Sequence, residues 1–189
     1  IAEACHRSDL TLGLEVEANL MGQNGELLSE IHRRVNHPAL VLIFDGGNLV
    51  TQGFDSAGVF AQYKTMKDAI GWFHVKDYRH PRKVERIEHV DEEALRHFVP
   101  VDEGQSGYEL ILKDFCDVLP RLTKKLQRRG IPGVFIDLEP HLKGGGQFGG
   151  FSGPDGLGVA LRSLCRILDL VGIEYRLRDF ADVKATQGY

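Results

Sequence analysis

The stretch ALVLIF, residues 39–44, is a nearly continuous apolar run that ends at Asp45. An apolar run of this length without a polar face is typical of a strand in a parallel sheet that is covered by helices. The residues before it, Asn36, His37 and Pro38, form a helix stop signal, because a residue that precedes proline avoids the helical region. The run therefore predicts a buried strand that follows a helix, as in an α/β fold.

The same alternation of a short apolar strand and a longer amphipathic helix occurs four times along the chain. The other predicted strands are residues 10–16 (LTLGLEV), 71–75 (GWFHV) and 133–138 (GVFIDL). Apolar spacing and stop signals predict helices at residues 1–7, 24–35, 55–69, 91–98, 106–129 with a kink or division at Pro120, and 154–171. Four successive β-α units indicate either an open doubly wound sheet or part of a closed barrel.

Composition limits the classes of partner. The chain has 189 residues, of which 42% are hydrophobic and 26% charged, as is usual for one soluble globular domain. Its formal net charge of -4 provides no general attraction to nucleic acids or anionic membranes. Since no apolar run approaches the ~20 residues that span a bilayer, we expect neither nucleic acid nor membrane as a partner.

The cysteines bear on location. Cys5, Cys116 and Cys165 are odd in number and lack CxxC spacing, which argues against a disulfide framework and against a structural zinc site. Free thiols are typical of a reducing compartment. We therefore expect a cytoplasmic protein.

Four side chains of ligand type stand at the carboxyl ends of the predicted strands. These are Glu15, Asp45, His74 and Glu139, in chain order. In a barrel such strand ends meet at one rim. Each residue alone has a structural explanation as a helix cap, a turn former or a surface charge. Together, three carboxylates and one imidazole predict a site for one divalent ion such as Mn²⁺, Mg²⁺, Co²⁺ or Zn²⁺.

Neighbouring residues offer alternatives. Residues two apart on a strand share a face, so Glu17 is an alternative to Glu15 and Lys76 lies beside His74. Lys76 either contacts a substrate oxygen or neutralises a carboxylate of the rim. Asp137 is interpreted as a hydrogen-bonded barrel carboxylate one layer below the rim.

The strand tips also carry motifs of a known family. They read LEVEAN (residues 14–19), FDGGN (44–48), WFHVKD (72–77) and DLEPH (137–141). These motifs resemble strands five to eight of the xylose-isomerase-like TIM-barrel superfamily, which contains sugar-phosphate isomerases and epimerases, inosose dehydratase and endonuclease IV. The resemblance implies an α/β fold of the (β/α)8 TIM-barrel type. Residues 1–189 would form a single domain covering approximately strands five to eight and their helices.

The resemblance also implies roles for particular residues. The family's metal ligands fall on Glu15, Asp45, His74 and Glu139, and the residues matching Glu15 and Glu139 also move protons. The implied activity is a metal-dependent sugar or sugar-phosphate isomerase or epimerase that transfers a proton through a metal-stabilised enediolate. The resemblance points to substrate contacts at Asn48 and at His80 with the neighbouring Arg79, and Lys76, from its place beside His74, is the fourth candidate. Asn48 and His80 depart from the family, which usually has His and Arg at these two places.

Several alternatives stay open. An inosose-type dehydratase or lyase would use the same scaffold, and a non-catalytic sugar-binding relative would keep the fold without turnover. An endonuclease IV-like phosphodiesterase is disfavoured because the additional histidines and the basic surface are lacking. The loop 144–146 (GGG) either binds a substrate phosphate or serves as a linker. The N-terminal barrel half has no counterpart in the sequence, which favours a piece of a longer protein over a chain that pairs with another half. Whether the protein forms a homo-oligomer stays open.

Overall fold

A four-stranded parallel sheet forms the centre of the molecule. The computed structural model describes residues 1–82, 85–87, 89–90, 96–140 and 154–187. Its strands are β1 (Leu12–Glu15), β2 (Leu40–Asp45), β3 (Ile70–Val75), β4 (Asp77–Tyr78), β5 (Phe98–Val99) and β6 (Phe135–Leu138). The main sheet has the order β1-β2-β3-β6 with every neighbouring pair parallel, and β4 pairs with β5. Strands that follow chain order in this way are those of consecutive β-α units.

The helices confirm most of the predicted pattern. They are α1 (Ala2–Arg7), α2 (Gly25–Val35), α3 (Gly46–Thr51), α4 (Ser56–Met66), α5 (Tyr108–Cys116), α6 (Leu119–Gln127), α7 (Pro154–Val171) and α8 (Phe180–Gln187). The predicted helix 106–129 is divided, and Pro120 lies in the first turn of α6. The short helices α3 and α8 were not predicted. None of the described helices has both the length and the apolar character needed to cross a membrane.

Side-chain caps fix where two of the predicted helices begin. The Asn24 side chain accepts a hydrogen bond from the Leu27 amide at 2.9 Å and caps α2. The Asp55 carboxylate accepts from the Gly58 amide at 2.8 Å and caps α4. These short polar side chains satisfy amides that have no partner within the helix, which explains why the starts could be read from the sequence.

One predicted helix is wrong in part. Phe98, placed in a helix over 91–98, instead lies in β5, where it pairs with Tyr78 of the antiparallel β4. Both side chains are buried, so the pairing covers two aromatic rings that a surface helix would leave partly exposed. Residues 91–95 of that prediction lie outside the described residues, as does the loop 144–146.

The two ends of the sheet differ from its centre. In β2 and β3, Phe44 and Phe73 are fully buried, and their rings make an edge contact with centroids 5.6 Å apart. In β6, by contrast, Phe135 and Ile136 are 36% and 41% exposed. The aromatic layer behind β2 and β3 therefore supports the middle of the sheet, and β1 and β6 form its edges.

Candidate metal centre

Four side chains converge at the carboxyl ends of the strands. Glu15, Asp45, His74 and Glu139 each offer one ligand-type atom, and these atoms all lie within 4.8 Å of one another. Adjacent strands are about 4.8 Å apart, so β1 and β6 would be roughly 14 Å apart in a flat sheet. The sheet therefore curves as a barrel wall does, and the four side chains occupy its concave face.

His74 lies between the two outer carboxylates. Its Nδ1 atom is 3.1 Å from Glu15 Oε1 and 3.0 Å from Glu139 Oε1. Within the described part of the chain, neither His74 Nδ1 nor Asp45 Oδ2 makes a hydrogen bond of good geometry, although both atoms are buried. Buried polar atoms almost always have a partner. Their orientation toward neighbouring carboxylates fits a divalent ion bound by oxygen atoms and one imidazole nitrogen.

Lys76 supplies the positive charge next to this cluster. Its ammonium lies 2.6 Å from Glu139 Oε2 and 3.1 Å from Asp45 Oδ2, and the residue is only 9% exposed. Burial works against the charged form, but Asp45 and Glu139 outweigh it and raise the pKa of Lys76. Lys76 thus neutralises rim carboxylates, which is one of its two predicted roles; contact with substrate remains a prediction.

Charge is distributed unevenly among the four cluster residues. Burial raises the pKa of Asp45 to about 7, against the effect of Lys76. Burial also opposes ionisation of Glu139, but His74 and Lys76 lower its pKa to about 2. Burial disfavours the protonated His74, yet Glu139 and Glu15 raise its pKa to about 10. The cluster therefore attracts positive charge, which a proton at His74 or a divalent ion supplies.

Asn48 joins two of the cluster strands. Its side-chain amide donates to Glu15 Oε1 at 3.0 Å, Glu17 Oε2 at 3.1 Å and the Val16 carbonyl at 3.1 Å. Its backbone amide donates to Asp45 Oδ1 at 2.9 Å and so begins α3. Asn48 thus lies beside the cluster and holds Glu15 and Glu17 together, and its predicted contact with substrate stays a prediction.

Arg79 and His80 make their contacts elsewhere. The Arg79 guanidinium bonds the Glu103 carbonyl, and His80 Nε2 lies 2.6 Å from the Val50 carbonyl. Among the contacts of the described residues, neither side chain reaches the four-residue cluster. His80 instead borders a cavity of about 670 Å³ that is also lined by Gly53, Phe54, Asp55, Ser56, Arg82 and Gln105. Their proposed contact with substrate remains a prediction.

Asp77 has a role that the sequence did not reveal. Its buried carboxylate accepts from the Tyr78 amide at 2.7 Å, the Gln105 amide at 3.1 Å and the Ser106 hydroxyl at 2.6 Å. Gly104 lies so close that a Cβ atom there would come within 1.9 Å of Asp77 Cγ. Asp77 therefore holds the loop before α5 against the end of β3. The glycine at position 104 is the one sign of this close packing in the sequence.

Asp137 supports the interpretation of a barrel carboxylate. It accepts a hydrogen bond from Trp72 Nε1 at 2.8 Å, and the Trp72 ring stacks on Phe135 at a centroid distance of 4.6 Å. Trp72 and His74 are two residues apart on β3 and share a face. These contacts therefore lie one layer below the candidate ligands.

Comparison with known proteins identifies the family. The model of the family described as xylose isomerase-like TIM barrel matches residues 1–167. The chain belongs to this family. No curated protein matches it. The family and the parallel sheet together assign the described strands to part of a (β/α) barrel.

Three solved structures share the fold. A xylose isomerase-like TIM barrel protein from Mycobacterium smegmatis in complex with magnesium is 19% identical, with a TM-score of 0.57 over 90% of this chain and 46% of its own. A D-tagatose 3-epimerase-like protein is 20% identical, with a TM-score of 0.53 over 91% of this chain and 52% of its own. The probable 3-DHS dehydratase AsbF, involved in petrobactin synthesis in Bacillus anthracis, is 16% identical, with a TM-score of 0.53 over 89% of this chain and 52% of its own. This chain therefore spans about half the length of these proteins.

Proposed function

We propose that this chain provides the metal site and the proton-transferring carboxylates of a sugar or sugar-phosphate isomerase or epimerase that depends on one divalent ion. The observation that carries the proposal is the convergence of Glu15, Asp45, His74 and Glu139 within 4.8 Å, each from a different strand. The chain's family and its likeness in fold to a D-tagatose 3-epimerase-like protein support the reaction class. The magnesium in another similar structure supports a divalent ion.

Each of the four residues would hold the ion through one atom. Asp45 and His74 form the base of the site, since they stand opposite each other on β2 and β3. A bound divalent ion would act as a Lewis acid on a substrate carbonyl and its neighbouring hydroxyl. Lys76, which contacts Asp45 and Glu139, fixes the positions of these two carboxylates before the ion and the substrate arrive.

Glu15 and Glu139 would move the proton. They come from the two outer strands and flank His74 on both sides. A carbon next to a carbonyl is a weak acid, so its proton must be removed by a carboxylate held within hydrogen-bond distance. One glutamate would take the proton from one side of the sugar, and the other would return a proton on a neighbouring carbon or on the opposite side.

The test is the substitution Glu139→Gln in the full chain, assayed against ketoses, inososes and their phosphates. We expect turnover to fall by on the order of 100-fold or more, since the amide cannot accept the proton, while Mn²⁺ still binds, more weakly. Asp137→Asn is the matched control, because Asp137 faces Trp72 one layer lower. Unchanged turnover in Glu139→Gln would rule out the proposed role.

A dehydratase is the second candidate. It is favoured by the likeness in fold to a protein described as a probable 3-DHS dehydratase. The two reactions differ in their products. In D₂O an isomerase or epimerase places deuterium on carbon and keeps every oxygen, whereas a dehydratase loses water and forms a double bond. NMR of the product separates them, and a sugar-binding relative without activity would give neither.

The proposal also covers the class of substrate. We assign a small sugar, with or without a phosphate group, as the partner. The loop 144–146 that was considered for phosphate binding lies outside the described residues. The ratio of kcat/KM for a phosphosugar to that for the free sugar shows whether the substrate carries a phosphate group. The three cysteines are free thiols. Cytoplasmic location and pairing with a second copy remain predictions.

A further inference from the structure

One tyrosine hydroxyl lies directly behind the candidate metal centre. Tyr108 is the first residue of α5 and is fully buried. Its hydroxyl donates to the His74 carbonyl at 2.9 Å and accepts from the Gly46 amide at 3.0 Å. A buried hydroxyl that both donates and accepts is fixed in orientation. Tyr108 therefore links the backbone of two neighbouring strand ends.

The two backbone groups belong to the candidate ligands or adjoin them. His74 is the predicted imidazole ligand, and Gly46 follows Asp45 directly. Asp45 and His74 are register partners in the sheet. The single hydroxyl thus spans β2 and β3 at the level where both present a side chain to the cluster.

The close approach of Tyr108 depends on glycine at position 46. A Cβ atom on Gly46 would lie 3.1 Å from Tyr108 Cε2 and 2.7 Å from Ser106 Oγ. Any side chain there would push the start of α5 away from the sheet. The glycine and the tyrosine therefore act together, and neither points into the site itself.

We propose that Tyr108 is a positioning residue for the metal centre, because its hydroxyl fixes the spacing of the Asp45 and His74 backbones. The inference rests on the proposed function for the existence of the metal, but it assigns a role to a residue outside the ligand set. Groups that support metal ligands typically contribute 10- to 100-fold to metal affinity. Since Tyr108 acts through two backbone atoms, we expect an effect at the lower end of that range.

A matched control is present in the same aromatic cluster. Tyr63 is also fully buried, and its ring contacts Phe44 edge-on with centroids 5.6 Å apart, against 6.2 Å for Tyr108. Its hydroxyl donates to Asp114 at 2.9 Å, between α4 and α5. Substituting phenylalanine at either position removes one buried hydroxyl from the same layer, but only Tyr108 contacts the strand ends.

The experiment compares Tyr108→Phe and Tyr63→Phe in the full chain with the metal alone. We expect the Mn²⁺ dissociation constant, measured by electron paramagnetic resonance, to rise about tenfold in Tyr108→Phe. It should stay within about twofold in Tyr63→Phe. The visible absorption bands of bound Co²⁺ should shift only in Tyr108→Phe. Both substitutions should lower the melting temperature of the metal-free protein by a similar amount.

The outcomes separate the inference from the proposed function. If Tyr108→Phe binds Mn²⁺ as the wild type does, or if both variants lose affinity equally, the positioning role is wrong and the metal site stands. If the wild type binds no Mn²⁺, the metal-dependent function is wrong as well. Should Tyr108→Phe fail to fold, ¹⁹F NMR of 3-fluorotyrosine-labelled wild type replaces it. Adding Mg²⁺ should then change the ¹⁹F chemical shift of Tyr108 and leave that of Tyr63 unchanged. An unchanged Tyr108 signal contradicts the inference.

Discussion

Asp45 and Asp77 are two buried carboxylates at the ends of neighbouring strands, and they differ in what surrounds them. Neither is exposed to solvent, and burial raises the pKa of each to about 7. Asp77 follows β3 on the side away from the cluster, whereas Asp45 ends β2 within it. Burial alone thus does not distinguish a structural carboxylate from a functional one.

Their hydrogen bonds distinguish them. Asp77 Oδ1 accepts from two loop amides and from the Ser106 hydroxyl, so its burial is compensated. Asp45 Oδ1 accepts from the Asn48 amide, but its Oδ2 atom has no hydrogen bond among the described groups and lies 3.1 Å from the Lys76 ammonium. A carboxylate that keeps one oxygen available toward other charged groups is suited to bind a ligand. A carboxylate with satisfied oxygens is suited to hold a loop.

The largest effect on stability is expected for Asp77→Ala. The change leaves buried amides at Gln105 and Ser106 without an acceptor, which should cost about 3 kcal/mol in the free energy of unfolding. Asp77→Asn keeps the Oδ1 acceptor and should cost only about 1 kcal/mol. Urea unfolding of both variants measures the difference. Equal losses would show that the hydrogen bonds to Oδ1 are not what holds the loop.

The next largest effect concerns metal binding by Asp45→Asn. Losing one charged ligand should raise the Mn²⁺ dissociation constant by on the order of 100-fold, at least as much as losing a supporting contact. The free energy of unfolding should change little, because Asn keeps the Oδ1 cap on α3 and Lys76 keeps its ion pair with Glu139. Titration calorimetry measures the affinity.

The matched control is the same substitution at Asp77. Asp77→Asn should leave Mn²⁺ affinity within about twofold of the wild type, since Asp77 has no contact with the cluster that the structure describes. If both variants lost affinity equally, or if Asp45→Asn bound Mn²⁺ normally, the assignment of Asp45 as a ligand would be wrong.

The convergence of the four candidate ligands could be predicted because the fold determines it. In a parallel sheet built from consecutive β-α units, the carboxyl ends of all strands lie at one edge. Recognising four apolar runs and the polar residue that ends each of them was enough to place Glu15, Asp45, His74 and Glu139 at that edge. The starts of α2 and α4 could also be predicted, because the Asn24 and Asp55 side chains each bond an amide only three positions along the chain.

The features that escaped prediction depend on contacts between distant residues. Helix α3 begins with two glycines, which disfavour helix, and it forms because Asp45 caps it and the whole segment is buried. The two-residue strands β4 and β5 form by pairing with each other across the chain that separates them. The hydrogen bonds that Asp77 accepts from Ser106 and Tyr108 accepts from Gly46 join residues 29 and 62 positions apart, a separation that no local pattern reports.

The pKa of a third carboxylate, Asp114, is lowered where those of Asp45 and Asp77 are raised. Its substitution gives the smallest of the predicted effects. Partial burial opposes its ionisation, but hydrogen bonds from Lys67, Lys64 and Tyr63 outweigh it and lower the pKa of Asp114 to about 2. Because the pKa lies below the value of about 3.9 in the unfolded chain, the carboxylate stabilises the fold above pH ~4. This stabilisation disappears as the pH falls toward 2.

Screening by solvent limits how much the Asp114 carboxylate contributes to the free energy of unfolding. The group lies at the surface between α4 and α5, so we expect Asp114→Asn to lower the free energy of unfolding by no more than about 1 kcal/mol at pH 7. The difference from the wild type should persist at pH 5 and shrink when urea unfolding is repeated at pH 4, 3 and 2. A difference that stays constant or grows on acidification would mean that charge at Asp114 is not what stabilises the contact.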